Sequence, residues 1–191
     1  MAIAAASEQT RPRIHVGDLL SLSLPQTYDV VFGLDIFEHL NPNRLRQYLE
    51  RLSALTRPDG LLFCNIPAFG NDPVCGLIFP LYLREWNGDE HERFSVVHTD
   101  ESGYPLHGHL IWATAKWWAS QFEAVGLTRE VDIELALHRV YDDYMTRRSP
   151  ARRAYFVFGK QLSDRRRTDV IRRIRDGSPL LSGRSSATRG F

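Results

Sequence analysis

Cysteine is scarce in this sequence: there are two in 191 residues, Cys64 and Cys75. That is too few for a disulfide scaffold, and Cys64, set in an apolar run, reads as a buried thiol. An excess of one charge sign is missing too. The formal net charge is +1, so nothing global draws nucleic acid or a membrane surface. No stretch reaches the roughly 18 apolar residues of a membrane span. Met1 to Thr10 lacks a basic segment leading into an apolar one, so no signal peptide is expected, and the expected location is cytoplasmic. Glycine is absent from residues 1–12, which excludes a glycine-rich turn there. What is present is ordinary for one globular α/β-sized domain: 43% hydrophobic and 25% charged residues. The one local bias is Gln161 to Phe191, with eight Arg, no Lys and three Asp.

Residues 1–12 read as irregular. Arg13-Ile14-His15-Val16 is a short strand-like run closed by the turn Gly17-Asp18. Tyr28 to Leu34 holds the consecutive apolar residues Val30, Val31 and Phe32, the pattern of a parallel strand buried on both faces. Asn41-Pro42 is a helix start, and Leu45, Leu49 and Leu52, widened by Tyr48 and Leu55, make an amphipathic stripe to about Thr56. Arg57-Pro58-Asp59-Gly60 ends it, and Leu61 to Ile66 is a second apolar strand. Residues 68–112 read as a long insertion. Thr114 caps a helix carrying Trp118, Phe122 and Val125, with Gly126 at its end. From Thr128 to Leu135, Glu130, Asp132 and Glu134 alternate with Val131, Ile133 and Leu135, the pattern of a strand with one wet face. Ala154 to Phe158 is a last, aromatic strand, and a polar tail follows with one helix near Thr168 to Arg175. The order β, β, α, β, insertion, α, β, β predicts an α/β fold, parallel at first and antiparallel at the end.

Four blocks then stand in order: Val16-Gly17-Asp18-Leu19-Leu20, Tyr28-Asp29-Val30-Val31, Asp35-Ile36-Phe37-Glu38-His39-Leu40 and Arg57-Pro58-Asp59-Gly60-Leu61-Leu62. Together they resemble class I S-adenosylmethionine-dependent methyltransferases, in the type 11 or ubiquinone-methyltransferase-like group. The resemblance covers about residues 13–160. It implies a Rossmann-like sheet in the order 3-2-1-4-5-7-6, with strand 7 antiparallel and S-adenosyl-L-methionine as cofactor. The run before Gly17 would be strand 3, Tyr28 to Leu34 strand 4, Leu61 to Ile66 strand 5, Thr128 to Leu135 strand 6 and Ala154 to Phe158 strand 7. The glycine-rich cofactor loop after strand 1 and the acidic residue after strand 2 have no counterpart, so the chain reads as N-terminally truncated. Strand 4 would then be an exposed apolar edge, completed by an upstream segment or by another chain.

By resemblance, Asp18 accepts a hydrogen bond from the adenine amino group, as suits an acceptor-only carboxylate, and Leu19 offers a backbone N–H to the ring. Leu34 and Asp35 stand at the carboxyl end of strand 4, close to the sulfonium. Each also has a plainer reading, Asp18 as a turn residue and Leu34 as core. Glu38-His39-Leu40 leaves three readings open: proton transfer by His39, a divalent metal on Asp35, Glu38 and His39, or capping and packing. In the insertion, His107 and His109 are further candidates for a catalytic base. His91, His98, Trp86, Tyr104 and Trp112 would suit a sugar-like acceptor or else simply pack, and no zinc site of familiar spacing is evident. Lys116-Trp117-Trp118 reads as core and rim. Residues 161–191 read as a solvated, disordered tail.

The expected function is methyl transfer to a small-molecule or sugar-like acceptor, without nucleic acid or membrane. Two rivals remain. One is a non-catalytic remnant or docking subunit that binds a partner through the strand 4 edge. The other is a nicotinamide-dependent oxidoreductase, disfavoured by Glu38-His39-Leu40 and the antiparallel ending.

Overall fold

The computed structural model describes residues 7–24, 26–74, 76–78, 93–94, 108–148 and 155–177. Strand β1 (Tyr28–Leu34) leads through two short 3-10 turns, Phe37–His39 and Pro42–Arg44, into helix α1 (Leu45–Leu55) and strand β2 (Thr56–Asn65). Short strands β3 (Gly70–Asp72), β4 (Gly76–Ile78), β5 (Arg93–Phe94) and β6 (Trp112–Ala113) follow. Then come helix α2 (Ala115–Glu123), β7 (Thr128–Arg129), α3 (Val131–Arg148), β8 (Tyr155–Lys160) and α4 (Asp164–Asp176).

The main sheet has the order β1-β2-β8-β7. β1 runs parallel to β2, and β8 is antiparallel to both β2 and β7. The α/β class and the antiparallel ending expected from the sequence are both present. The helix expected after Asn41 is there as well: the Asn41 side chain accepts the Asn43 N–H, and Leu45, Leu49, Leu52 and Leu55 are buried. On α2 the Thr114 hydroxyl accepts the Trp117 N–H at 3.1 Å, and Trp118 and Phe122 are fully buried. Both α-helices pack on the sheet with Leu62, Cys64, Phe156 and Phe158. Burial pushes the Cys64 thiol well up from its ordinary pKa, as expected of an inert core cysteine.

Four expectations are corrected. Arg13 to Val16 is not a strand: Arg11–Arg13 is a 3-10 turn, and residues 14–16 join no ladder among the described residues. Ile14 and Val16 are exposed there, and an extended run without a neighbouring strand leaves its backbone to water. β1 is not buried on both faces. Among the described residues it pairs with β2 alone, and Phe32 is 71% exposed, with Val30 and Leu34 about half exposed.

The third correction concerns Thr128 to Leu135. Only Thr128 and Arg129 are strand, and the helix α3 begins at Val131. The alternating acids misled because Glu130 and Glu134, four apart, both turn inward. Acids in a first helical turn are favoured by the helix dipole. Here each also finds an arginine: Glu134 meets Arg129 and Glu130 meets Arg167. Gly159 makes room, since a Cβ there would lie 2.6 Å from Glu130 Oε1.

Fourth, the helix expected near Thr168 to Arg175 is present and longer, as α4, so the first half of the expected tail is ordered structure. α4 sets Val170, Ile171 and Ile174 against a small core of Leu61, Ile133 and Val157. Residues 178–191 lie outside the described part. The Ser163 hydroxyl caps α4 by accepting the Arg166 N–H. Ser163 in turn donates its own N–H to Asp59 Oδ1 at 2.7 Å. Asp59 has a left-handed backbone (φ 63°), a region Asp tolerates. It sits where β2 slips its register against β1, so the expected breaker Arg57 to Gly60 becomes a bulged strand start.

That bond from the Ser163 backbone lowers the Asp59 carboxyl pKa from 3.8. A depressed folded-state pKa adds stability that is present above the unfolded value and fades as pH falls through the folded one. Protection of the α4 amides, taken relative to intrinsic exchange at each pH, is therefore expected to fall as pH drops below 3.8, and to fall less in Asp59→Asn, where only the acids of α4 itself, such as Asp169, still titrate. Equal acid sensitivity in both proteins would refute this anchoring.

Candidate functional site

Ligands of open α/β sheets gather at the carboxyl ends of parallel strands, and here the ends of β1 and β2 are locked together. The Asp35 N–H donates to the Asn65 carbonyl at 3.0 Å, and Asn65 Nδ2 donates to Asp35 Oδ1 at 3.2 Å. Asp35 takes φ 51°, which turns the chain sharply off the strand. Gly33 allows the next step, because a Cβ there would lie 2.6 Å from the Phe37 ring. Phe37 thereby folds back into the core, 5.4 Å edge-on to Phe122. The 3-10 turn Phe37–His39 buries Glu38 behind it, at 1% exposure.

Glu38 is the anchor for a second segment. Its carbonyl accepts the N–H groups of Leu110 at 2.7 Å and Ile111 at 3.1 Å. This places His109 beside His39, with ring centroids 4.7 Å apart and edge-on. His39 Nδ1 lies 2.7 Å from the Gly108 carbonyl. A carbonyl only accepts, so Nδ1 carries the hydrogen and Nε2 is the nitrogen facing Glu38. Gly108 has φ 66°, and a Cβ on it would lie 3.2 Å from His39 Nδ1; glycine is needed for both reasons. His39 Nε2 and His109 Nε2 stand 3.7 and 4.0 Å from Glu38 Oε1. The Trp112 ring lies 5.0 Å from that of His109.

A separate apolar cavity of about 600 Å³ runs along β1. Its walls include Gly17, Asp18, Leu19, Phe32, Phe37 and Tyr48. Asp18 Oδ1 accepts the Leu20 N–H at 2.9 Å, and Oδ2 faces the Tyr48 hydroxyl at 3.3 Å. Arg44 reaches the same oxygen at 3.5 Å. Asp18 thus fills the turn role foreseen for it. A carboxylate offers about four acceptor sites, so room remains for a further donor.

The structure therefore divides the residues expected from sequence. Asp18 and Leu19 line the cavity; Leu34 and Asp35, at the strand end, are not in its wall. His39 and His109 meet around Glu38, whereas the proposed partner Asp35 is not in that grouping. His107, His91, His98, Trp86 and Tyr104 lie outside the described residues. Sequence reasoning missed that the insertion docks on Glu38 through Gly108 to Ile111. The one available signal was Gly108 between two histidines.

No family model matches this chain, and no curated protein matches it. Solved structures do resemble it. One is the Burkholderia thailandensis 1,6-didemethyltoxoflavin-N1-methyltransferase, with its substrate and S-adenosylhomocysteine bound, at 17% identity and TM-score 0.38 over 73% of this chain. Another is an O-methyltransferase from a Brevibacillus brevis trans-AT polyketide synthase, bound to S-adenosylhomocysteine, at 11% identity and TM-score 0.40 over 91%. A third is the cyclase SpnF, at 14% identity and TM-score 0.42 over 82%. The chain spans 46%, 63% and 60% of those three proteins' lengths. Two of the three are methyltransferases by name.

Proposed function

We propose that this chain serves S-adenosylmethionine-dependent methyl transfer to a small-molecule or sugar-like acceptor. The observation that carries the reading is the sheet order β1-β2-β8-β7 with β8 antiparallel, because the resemblance of the four blocks implies 4-5-7-6 with strand 7 antiparallel for the same segments. The match extends to β7 in position, although its strand is only two residues long.

The cavity fits the nucleoside end of such a cofactor. Its volume, about 600 Å³, lies in the range of small-molecule sites, and it pairs apolar walls with the Asp18 carboxylate. Asp18 would accept from the adenine amino group and Leu19 would flank the ring. Leu34 and Asp35 would border the methyl-bearing end. Bound cofactor supplies a methyl group on a sulfonium, open to in-line displacement. The protein's part is to hold the acceptor atom in line and, for a hydroxyl acceptor, to take its proton. His39, His109 or His107 would take it; Nε2 is the nitrogen of His39 left for that role.

Calorimetric titration of the chain with S-adenosylhomocysteine tests this. Micromolar binding is expected, weakened about tenfold by Asp18→Ala, the loss of one hydrogen bond to a charged group. A folded chain that takes up none would sink the cofactor reading. A second reading would then gain, that of a non-catalytic docking subunit, favoured by the apolar outward residues Val30, Phe32 and Leu34 on β1.

A further inference from the structure

We infer that Glu38, His39 and His109 bind one divalent transition-metal ion, of the zinc type. The three are the described residues whose ligand atoms converge, all within 4.8 Å of one another. One carboxylate and two imidazoles are a common donor set for zinc and for non-haem iron(II). This set differs from the one implied by resemblance, since His109 belongs to it and Asp35 does not.

The spacing of the three suits an ion between them. His39 Nε2 and His109 Nε2 lie 3.7 and 4.0 Å from Glu38 Oε1, beyond hydrogen-bond range. Ligands about 2.1 Å from a shared ion stand roughly 3.4 Å apart when tetrahedral, so a small inward movement would close the set. The orientation of His39 is already fixed. Its Nδ1–H is committed to the Gly108 carbonyl, the kind of outer bond that sets the tautomer of a metal-binding histidine and aims the other nitrogen. Glycine suits position 108 because of its φ of 66°, and a Cβ there would also come within 3.2 Å of the imidazole. The Glu38 backbone is tied to the segment that carries His109, since its carbonyl accepts from both Leu110 and Ile111. Three protein ligands leave at least one coordination position for water or for an oxygen of a bound molecule.

The inference does not rest on cofactor binding, and neither does its test; with His39 and His109 Nε2 on an ion, neither nitrogen is open to take an acceptor's proton, which leaves that role to His107 or to water on the ion. The full chain, stripped with a chelator, is titrated with zinc chloride by calorimetry and with cobalt chloride by visible absorption. One ion per chain is expected, with cobalt bands of a low-coordinate nitrogen and oxygen site. His39→Ala and His109→Ala should each weaken zinc about 100-fold or more, beyond the usual loss from an outer-shell change. His15→Ala, far along the chain and exposed, should leave binding unchanged. Glu38 is buried, so Glu38→Gln is read only with circular dichroism showing native structure; the histidine variants decide the matter without it. No ion on a folded wild-type chain overturns the site. So does zinc binding that survives both His39→Ala and His109→Ala, which would move it to His91, His98 or His107.

Discussion

Replacing Arg129 by alanine is expected to destabilise the chain by about 3–5 kcal/mol, the usual consequence of leaving buried charge unpaired. Its guanidinium joins Asp72 Oδ2 at 2.7 Å and Glu134 Oε2 at 2.7 Å, and all three side chains are at least nine-tenths buried. The Val157 N–H also donates to Glu134, at 2.8 Å. The Arg129 guanidinium lies over the Phe156 ring, 4.8 Å from its centroid, so packing is lost together with charge. Burial pushes the Glu134 carboxyl up from its ordinary value of 4.5, against the pull of Arg129. Without the arginine only the Val157 N–H opposes that push. A folded-state pKa raised above the unfolded one favours folding as pH falls towards the unfolded value. The stability deficit of Arg129→Ala should therefore shrink between neutral pH and about pH 5. Urea unfolding of both proteins across that range checks it; parallel curves with equal midpoints would dismiss the triad as a stabilising element.

Phe122→Ala should cost about 3–5 kcal/mol as well, as a large-to-small change in a packed core. Phe122 is fully buried and stacks on Phe158 at 4.3 Å, with Phe37 edge-on to it. The ring thus ties α2 to β8 and supports the turn that carries Glu38. A second readout separates this support from bulk stability. The Leu110 and Ile111 amides, bonded to the Glu38 carbonyl, should lose exchange protection by a larger factor than the β2–β8 ladder amides. Uniform loss across both sets would mean that Phe122 stabilises the sheet without positioning the turn.

How far the sequence could be read varied with how local the cause was. The stripe Leu45, Leu49, Leu52 and the cap Thr114 are local signals, and both helices stand where they were expected. The antiparallel β8 was expected because no helix could be read between the last two strands, yet α3 stands between them, so the outcome was right and its premise was not. The region from Glu130 to Glu134 was not, because period-2 alternation and inward-facing acids at i and i+4 write the same letters. Only Arg129 and Arg167, one beside the helix and one far along the chain, decide between them. For the site, Glu38 and His39 were visible as a motif and His109 as part of His-x-His. Their meeting was not, since it depends on the His39 side chain reaching the Gly108 carbonyl 69 residues away and on the backbone bonds from Leu110 and Ile111 to Glu38.

That separation also fixes an order of assembly. A chain emerging at roughly 5–20 residues per second presents Glu38 and His39 several seconds before Gly108 to Ile111. Over the same interval β2 has only β1 to pair with, because its other neighbour, β8, starts at Tyr155. Among the described residues, every group that meets around Glu38 has therefore been made before β8, the second neighbour of β2, so the imidazole pair can close ahead of the completed sheet.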